Sequence, residues 1–313
     1  MNGSRWRRVV AAVRESRRWV VLGVLMCSGL AAAGAAQDPA KTIRVQSLGV
    51  SDNLYLLSGG GGNSVALVTA DGVVLVDTKL TGWGQAVLTA VEALTDRPVT
   101  TIINTHTHGD HTGGNVELPT VTRVVAHENT KTHMQAMSTF AGAGAKALPN
   151  QTFSDHVSLL DGIDRIDLYY FGAGHTNGDA VVVFPAKGVA HMGDLFPSKA
   201  VPVIDTVRGG SGVAYPETLD KVIKALDGKV TKVVTGHEPP PSGSPIRVMT
   251  GMADLKEFAE FTREFLVAVR VAAKGGQSPQ EAASSLRLPE RFKAYDMRRA
   301  SDTIAAIYKE LRP

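Results

Sequence analysis

This 313-residue chain has a single cysteine, Cys27. It lies in an arginine-rich leader, so cleavage there leaves no thiol, which excludes disulfides and thiolate metal ligands. Charge of one sign is also missing. The whole chain has 33 basic and 30 acidic side chains, but residues 1–36 hold six arginines and one glutamate, leaving 27 basic against 29 acidic. A slightly acidic body carries no electrostatic footprint for nucleic acid. The glycine run Gly59 to Gly62 lacks the following Gly-Lys-Ser/Thr of a phosphate loop and reads as a flexible hairpin.

Long apolar runs are scarce too. The one candidate, residues 19–30, follows Arg5, Arg7, Arg8, Arg14, Arg17 and Arg18 and ends in small residues 31–36. It is barely long enough to span a bilayer, and its flanks are those of a secretory signal cleaved near Ala35 or Ala36. Residues 1–36 are therefore expected to be a signal peptide, the mature protein to be periplasmic or secreted, and no stable membrane anchor to remain. Ser16-Arg17-Arg18-Trp19-Val20-Val21 resembles a twin-arginine export signal, which would let the protein fold and take up metal before export.

The chain is rich in histidine at one place. Thr105-His106-Thr107-His108-Gly109-Asp110-His111-Thr112-Gly113-Gly114-Asn115 puts three imidazoles and a carboxylate within six residues, directly after the β-prone run 99–103. At a strand end, His106 and His108 share one side by period two. Gly109 then lets the backbone turn so that Asp110 and His111 face a second position. One short segment can thus serve two adjacent metal ions.

Three more turns repeat the theme. Gly174-His175-Thr176-Asn177-Gly178-Asp179, Gly193-Asp194-Leu195-Phe196 and Gly236-His237-Glu238 each lie just beyond a β-like run, at 166–171, 189–192 and 232–235. Ligands at successive strand ends converge on one sheet edge.

From about Thr42 to about Ser244 this constellation resembles the metallo-β-lactamase superfamily. The resemblance implies one metal held by His106, His108 and His175, a second by Asp110, His111 and His237, and Asp194 bridging both. It also implies a supporting role for Asp77, at the end of Val73-Val74-Leu75-Val76-Asp77. β-Lactamase subclasses with a cysteine ligand would need a thiolate at the Asp194 position and are excluded. The set looks more like glyoxalase II or lactonase relatives, and export with an acidic body argues against the nuclease branches. Fold by itself stops short of a substrate.

The chemistry implied is hydrolytic. Two zinc ions per chain, with iron or manganese as other occupants of the same donors, would share a hydroxide that attacks a carbonyl carbon, with Asp110 orienting it. The expected function is an exported dinuclear zinc hydrolase of an ester, lactone, thioester or amide acting on a small molecule. A β-lactamase and an iron-dependent persulfide dioxygenase are the rivals.

Short strands at 64–69, 72–77, 99–104 and 122–126 alternate with helical stretches such as 85–94, an α/β pattern. The resemblance makes this an αββα sandwich over residues 37–250, followed by a C-terminal helical extension over 251–313. Leu255, Phe258, Phe261, Phe265, Leu266 and Val269 form a helical stripe that stops at Gly275-Gly276. Ser278-Pro279-Gln280-Glu281 is a capping box, and Ile304, Ala305, Ile307, Tyr308 and Leu311 mark a last helix. These helices are expected to pack on the sandwich or to form a homodimer contact. Near the metal edge, Lys199 or Arg208 could grip a substrate carboxylate. His127, His133, His156 and His191 match no ligand position.

Overall fold

The computed structural model describes residues 41–49, 53–238 and 249–312, so the signal-peptide segment lies outside the described residues. The described residues belong to one compact unit.

Two sheets face each other. The first takes its strands in chain order: β1 (Arg44–Ser47), β2 (Leu54–Ser58), β3 (Ser64–Thr69), β4 (Gly72–Val76), β5 (Val99–Ile103), β6 (Arg123–His127) and β7 (Gln151–Phe153). Strands β1 to β4 are antiparallel, and β4 to β7 run parallel, linked by crossovers that include helices α1 (Gly84–Glu92), α2 (Gly109–Thr112) and α3 (Glu128–Gln135). The second sheet holds β8 (His156–Leu159), β9 (Ile166–Tyr170), β10 (Ala180–Phe184), β11 (Val189–His191), β12 (Lys232–Val234) and β13 (Met249–Thr250). Helices α4 (Tyr215–Leu226), α5 (Met252–Lys274), α6 (Pro279–Ser285) and α7 (Ala300–Leu311) complete the chain.

Period two sorts the side chains of each strand to opposite faces. In β4, Val74 and Val76 point inward against Leu168, Val182, Val189 and Val234 of the second sheet. Val73 and Leu75 point outward against Val87 and Val91 of α1. On the far side, Val181, Val183 and Val233 pack against Leu219, Phe258, Phe261, Ile304 and Ile307 of α4, α5 and α7. The layers are therefore helix, sheet, sheet, helix, the αββα arrangement, and the C-terminal helices share the core of the second sheet.

The capping box at Ser278 and Glu281 forms as read from the sequence, and α5 ends at Gly275. Strand β4 stops at Val76, one residue short of expectation, because Asp77 takes φ 59° and leaves the strand. The Gly59–Gly62 segment does connect a hairpin, yet it is pinned rather than free. Gly62 N donates to Asp110 O at 3.0 Å and Leu80 N donates to Gly60 O at 3.0 Å.

Candidate metal centre

Strand ends bring the site together, as the spacing requires. Strand β5 stops at Ile103, so His106 and His108 lie in the bend beyond it and not on the strand, and α2 then carries Asp110 and His111 round to a second position. Gly109 takes no positive φ, so the reversal is made by the helical turn itself and not by glycine's special freedom. His175 follows β9, Asp194 follows β11 and His237 follows β12.

Two donor groups result: His106, His108, His175 and Asp194 in one, and Asp110, His111 and His237 in the other, with ligand atoms in each within 4.8 Å of one another. His108 Nδ1 lies 2.7 Å from His175 Nε2. In the second group His237 Nε2 is 3.3 Å from Asp110 Oδ2 and 3.3 Å from His111 Nε2. Asp194 reaches both groups. Its Oδ2 is 3.6 Å from His175 Nε2 and 3.2 Å from His237 Nε2, and its Oδ1 is 3.3 Å from His111 Nε2.

The second nitrogen of each ring fixes its tautomer. His111 Nδ1 meets Asp77 Oδ2 at 2.7 Å, His175 Nδ1 donates to Val203 O at 2.8 Å, and His108 Nε2 meets Asp205 Oδ2 at 2.8 Å. With protons assigned to those nitrogens, the facing atoms of all three rings are lone pairs.

A family model described as the metallo-beta-lactamase superfamily matches residues 57–237. The chain belongs to that superfamily. Metallo-beta-lactamase IND-1 of Chryseobacterium indologenes is 26% identical over 181 residues, covering 56% of this chain and 71% of the relative. Hydroxyacylglutathione hydrolase of Crocosphaera subtropica is 25% identical over 201 residues, 60% of this chain and 65% of the relative. A metallo-beta-lactamase from Pontibacter korlensis superimposes with a TM-score of 0.57 at 20% identity, covering 71% of this chain and 99% of its own. This chain is thus a metallo-β-lactamase superfamily hydrolase with a clustered His/Asp donor set.

The superfamily's metals fit these donors on physical grounds. His106 Nε2 is buried without a hydrogen-bond partner, an arrangement that costs about 1–3 kcal/mol unless a cation satisfies it. Two imidazole lone pairs facing each other at 2.7 Å repel unless a cation lies between them. Burial, with help from His111, holds His106 well below the usual histidine range, and burial brings His175 down to about 4, so both rings stay neutral and ready to ligate. Burial opposes charge on His111, but Asp194 and Asp77 overcome it and hold its pKa well above the ordinary value. Asp194 and Asp77 thus place negative charge beside this ring, the charge a divalent cation would neutralise.

Supporting residues were legible to different degrees. Asp77 is fully buried and accepts from Thr105 N at 2.8 Å and Thr105 Oγ1 at 2.7 Å as well as from His111, so it ties the first motif together. Asp179, in the expected turn, accepts from Thr176 N and Oγ1, and burial raises its pKa to about 7. Asp205 escapes the sequence, because an aspartate before a short turn reads as a cap, and it does accept from Val207 N and Arg208 N. Burial would raise its pKa, but His108 and Arg208 draw it down to about 2.

Lys79 escapes it too. It is fully buried at φ 71°, and its Nζ donates to Leu57 O at 2.7 Å and Gly62 O at 2.5 Å. Lys199 bonds Glu257 on α5 at 3.0 Å, whereas Arg208 is held by Asp205 at 2.6 Å. The other histidines have structural partners: His127 caps α3, His133 meets Asn177 Oδ1, His156 stacks on Tyr169, and His191 meets Asn63 O.

Proposed function

We propose that this protein is an exported, dinuclear zinc-dependent hydrolase of a small-molecule ester, lactone, thioester or amide. One observation carries the reading: the Asp194 carboxylate stands within 3.6 Å of histidines from both donor groups. His106, His108 and His175 would hold one metal, Asp110, His111 and His237 the other, and Asp194 would serve both. Bound there, a metal pair supplies Lewis-acid polarisation of a carbonyl and makes water a nucleophile near neutral pH.

The chain's own residues do the rest. Asp77, Asp205 and the Val203 carbonyl hold His111, His108 and His175 in the tautomers that aim lone pairs inward. Asp110 is about one-third exposed, so its carboxylate faces both the donor group and incoming substrate. It is suited to orient water and to accept its proton. A persulfide dioxygenase would use only a three-ligand facial arrangement, leaving Asp110, His111 and His237 without a task. A β-lactamase reading is favoured by the name of the Chryseobacterium relative, as a thioesterase reading is by that of the Crocosphaera relative.

Export rests on the arginine-rich leader and residues 19–30; an intact mass lacking about 36 residues tests it. A homodimer through the C-terminal helices draws on exposed Val267 and Val271 of α5 and is tested by light scattering. The activity test takes zinc-loaded protein with a chromogenic cephalosporin, a lactone and a thioester, beside Asp110→Ala and chelator-treated protein. Asp110-dependent turnover of any of the three, abolished by chelation and restored by zinc, supports the hydrolase. Retention of turnover in Asp110→Ala and after chelation refutes it.

A further inference from the structure

One strap of chain, residues 198–212, joins the C-terminal helices to the first donor group. Its inner side holds ligand histidines. Val203 O accepts from His175 Nδ1 at 2.8 Å, Asp205 Oδ2 meets His108 Nε2 at 2.8 Å, Asp205 N donates to His175 O at 2.9 Å, and Ser211 N donates to Gly174 O at 2.9 Å. The fit is close, since a Cβ on Gly210 would come within 2.2 Å of His175 O.

The outer side of the strap is held by α7. Thr303 Oγ1 donates to Pro202 O at 2.7 Å, next to Val203, and Glu310 Oε1 accepts from Gly212 N at 2.7 Å. The other Glu310 oxygen accepts from Ser211 Oγ. Thr303, Ile307 and Glu310 share one helical face by their spacing of four and three, and Ile307 packs where a Cβ on Gly212 would fall, at 2.5 Å. All three lie beyond residues 57–237, the extent of the superfamily match. Asp110 and His111 are held away from the strap, and His237 by the segment just before it, where His237 N donates to Pro197 O at 2.8 Å. Asp77 fixes His111, Gly62 N bonds Asp110 O, and Asn63 N bonds Gly236 O at 2.7 Å.

We propose that helix α7 is part of the metal centre, with Glu310 and Thr303 as positioning residues that orient His108 and His175 through the strap and so set the affinity of one metal and not the other. The inference rests on the two-metal reading above.

Cobalt(II) titration of the full-length protein, with chelator competition and visible absorption as readouts, tests it. Wild type is expected to take two cobalt ions per chain. Glu310→Ala and the near-isosteric Thr303→Val should each weaken one of the two by about tenfold or more, the usual effect of losing support behind a metal-ligating histidine, and should shift that site's absorption bands. Glu310→Gln, which keeps an oxygen for Gly212 N–H, should recover most of the affinity. Ser278→Ala serves as the control, because it removes the α6 cap without touching the strap; it should lower Tm and leave both affinities alone.

If Glu310→Ala and Thr303→Val lower Tm as Ser278→Ala does, with both affinities and the spectrum unchanged, α7 is packing only and the proposal falls. Equal weakening of both ions overturns it as well. A wild type that binds fewer than two ions refutes the two-metal reading itself, and the inference with it.

Discussion

His108 and Asp205 lie 97 residues apart in sequence and meet across 2.8 Å. The contact occupies Nε2, so His108 can present only Nδ1, the nitrogen that faces His175. Replacing Asp205 with alanine removes this constraint and the partner of Arg208 together. Zinc affinity measured by chelator competition should fall about 10- to 100-fold. Unchanged affinity would mean that His108 is oriented by packing alone.

Asp77 has a heavier structural task, because it takes three hydrogen bonds at a fully buried position. In Asp77→Ala those donors lose their acceptor inside the protein. The cost should be on the order of 3 kcal/mol or more, read by urea unfolding of metal-free protein. Asp77→Asn, which tolerates φ 59° and keeps one oxygen, should lose less.

Lys79 predicts a pH dependence. Burial lowers its pKa from 10.5 to about 7, against the pull of Asp77, Glu238 and Asp110. Below about 7 the folded and unfolded chains both carry the proton, and the buried charge opposes folding. Between about 7 and 10.5 only the unfolded chain holds it, so stability from this group rises with pH across that window. Urea midpoints taken from pH 7 to 10 should rise in wild type and stay flatter in Lys79→Met. Parallel curves for the two proteins would count against a buried, depressed lysine.

Gly62 is required for space and not for backbone freedom, since its φ is not positive. A Cβ there would fall 2.1 Å from His111 Cε1 and 2.4 Å from Nε2. Gly62→Ala should displace the ring, reduce bound zinc towards one ion per chain by elemental analysis, and abolish most turnover. Two ions retained at full activity would show that the loop can yield.

The donors themselves were legible because they are local. Histidine and aspartate in Gly-flanked turns after β-prone runs sit at strand ends, and parallel strands align their ends at one edge. The helical stripe of α5 and the capping box of α6 were legible for the same reason, being set by spacings of three and four along one element. What holds the donors was not local. Asp205 and Lys79 sit in no recognisable motif, and only the packing of loops separated by many residues buries Lys79 under Gly62 and turns Asp205 to His108. Periodicity records which face of an element is apolar. It carries no information about which loop crosses which strand end, and that crossing is where the tertiary structure chose the partner of each histidine.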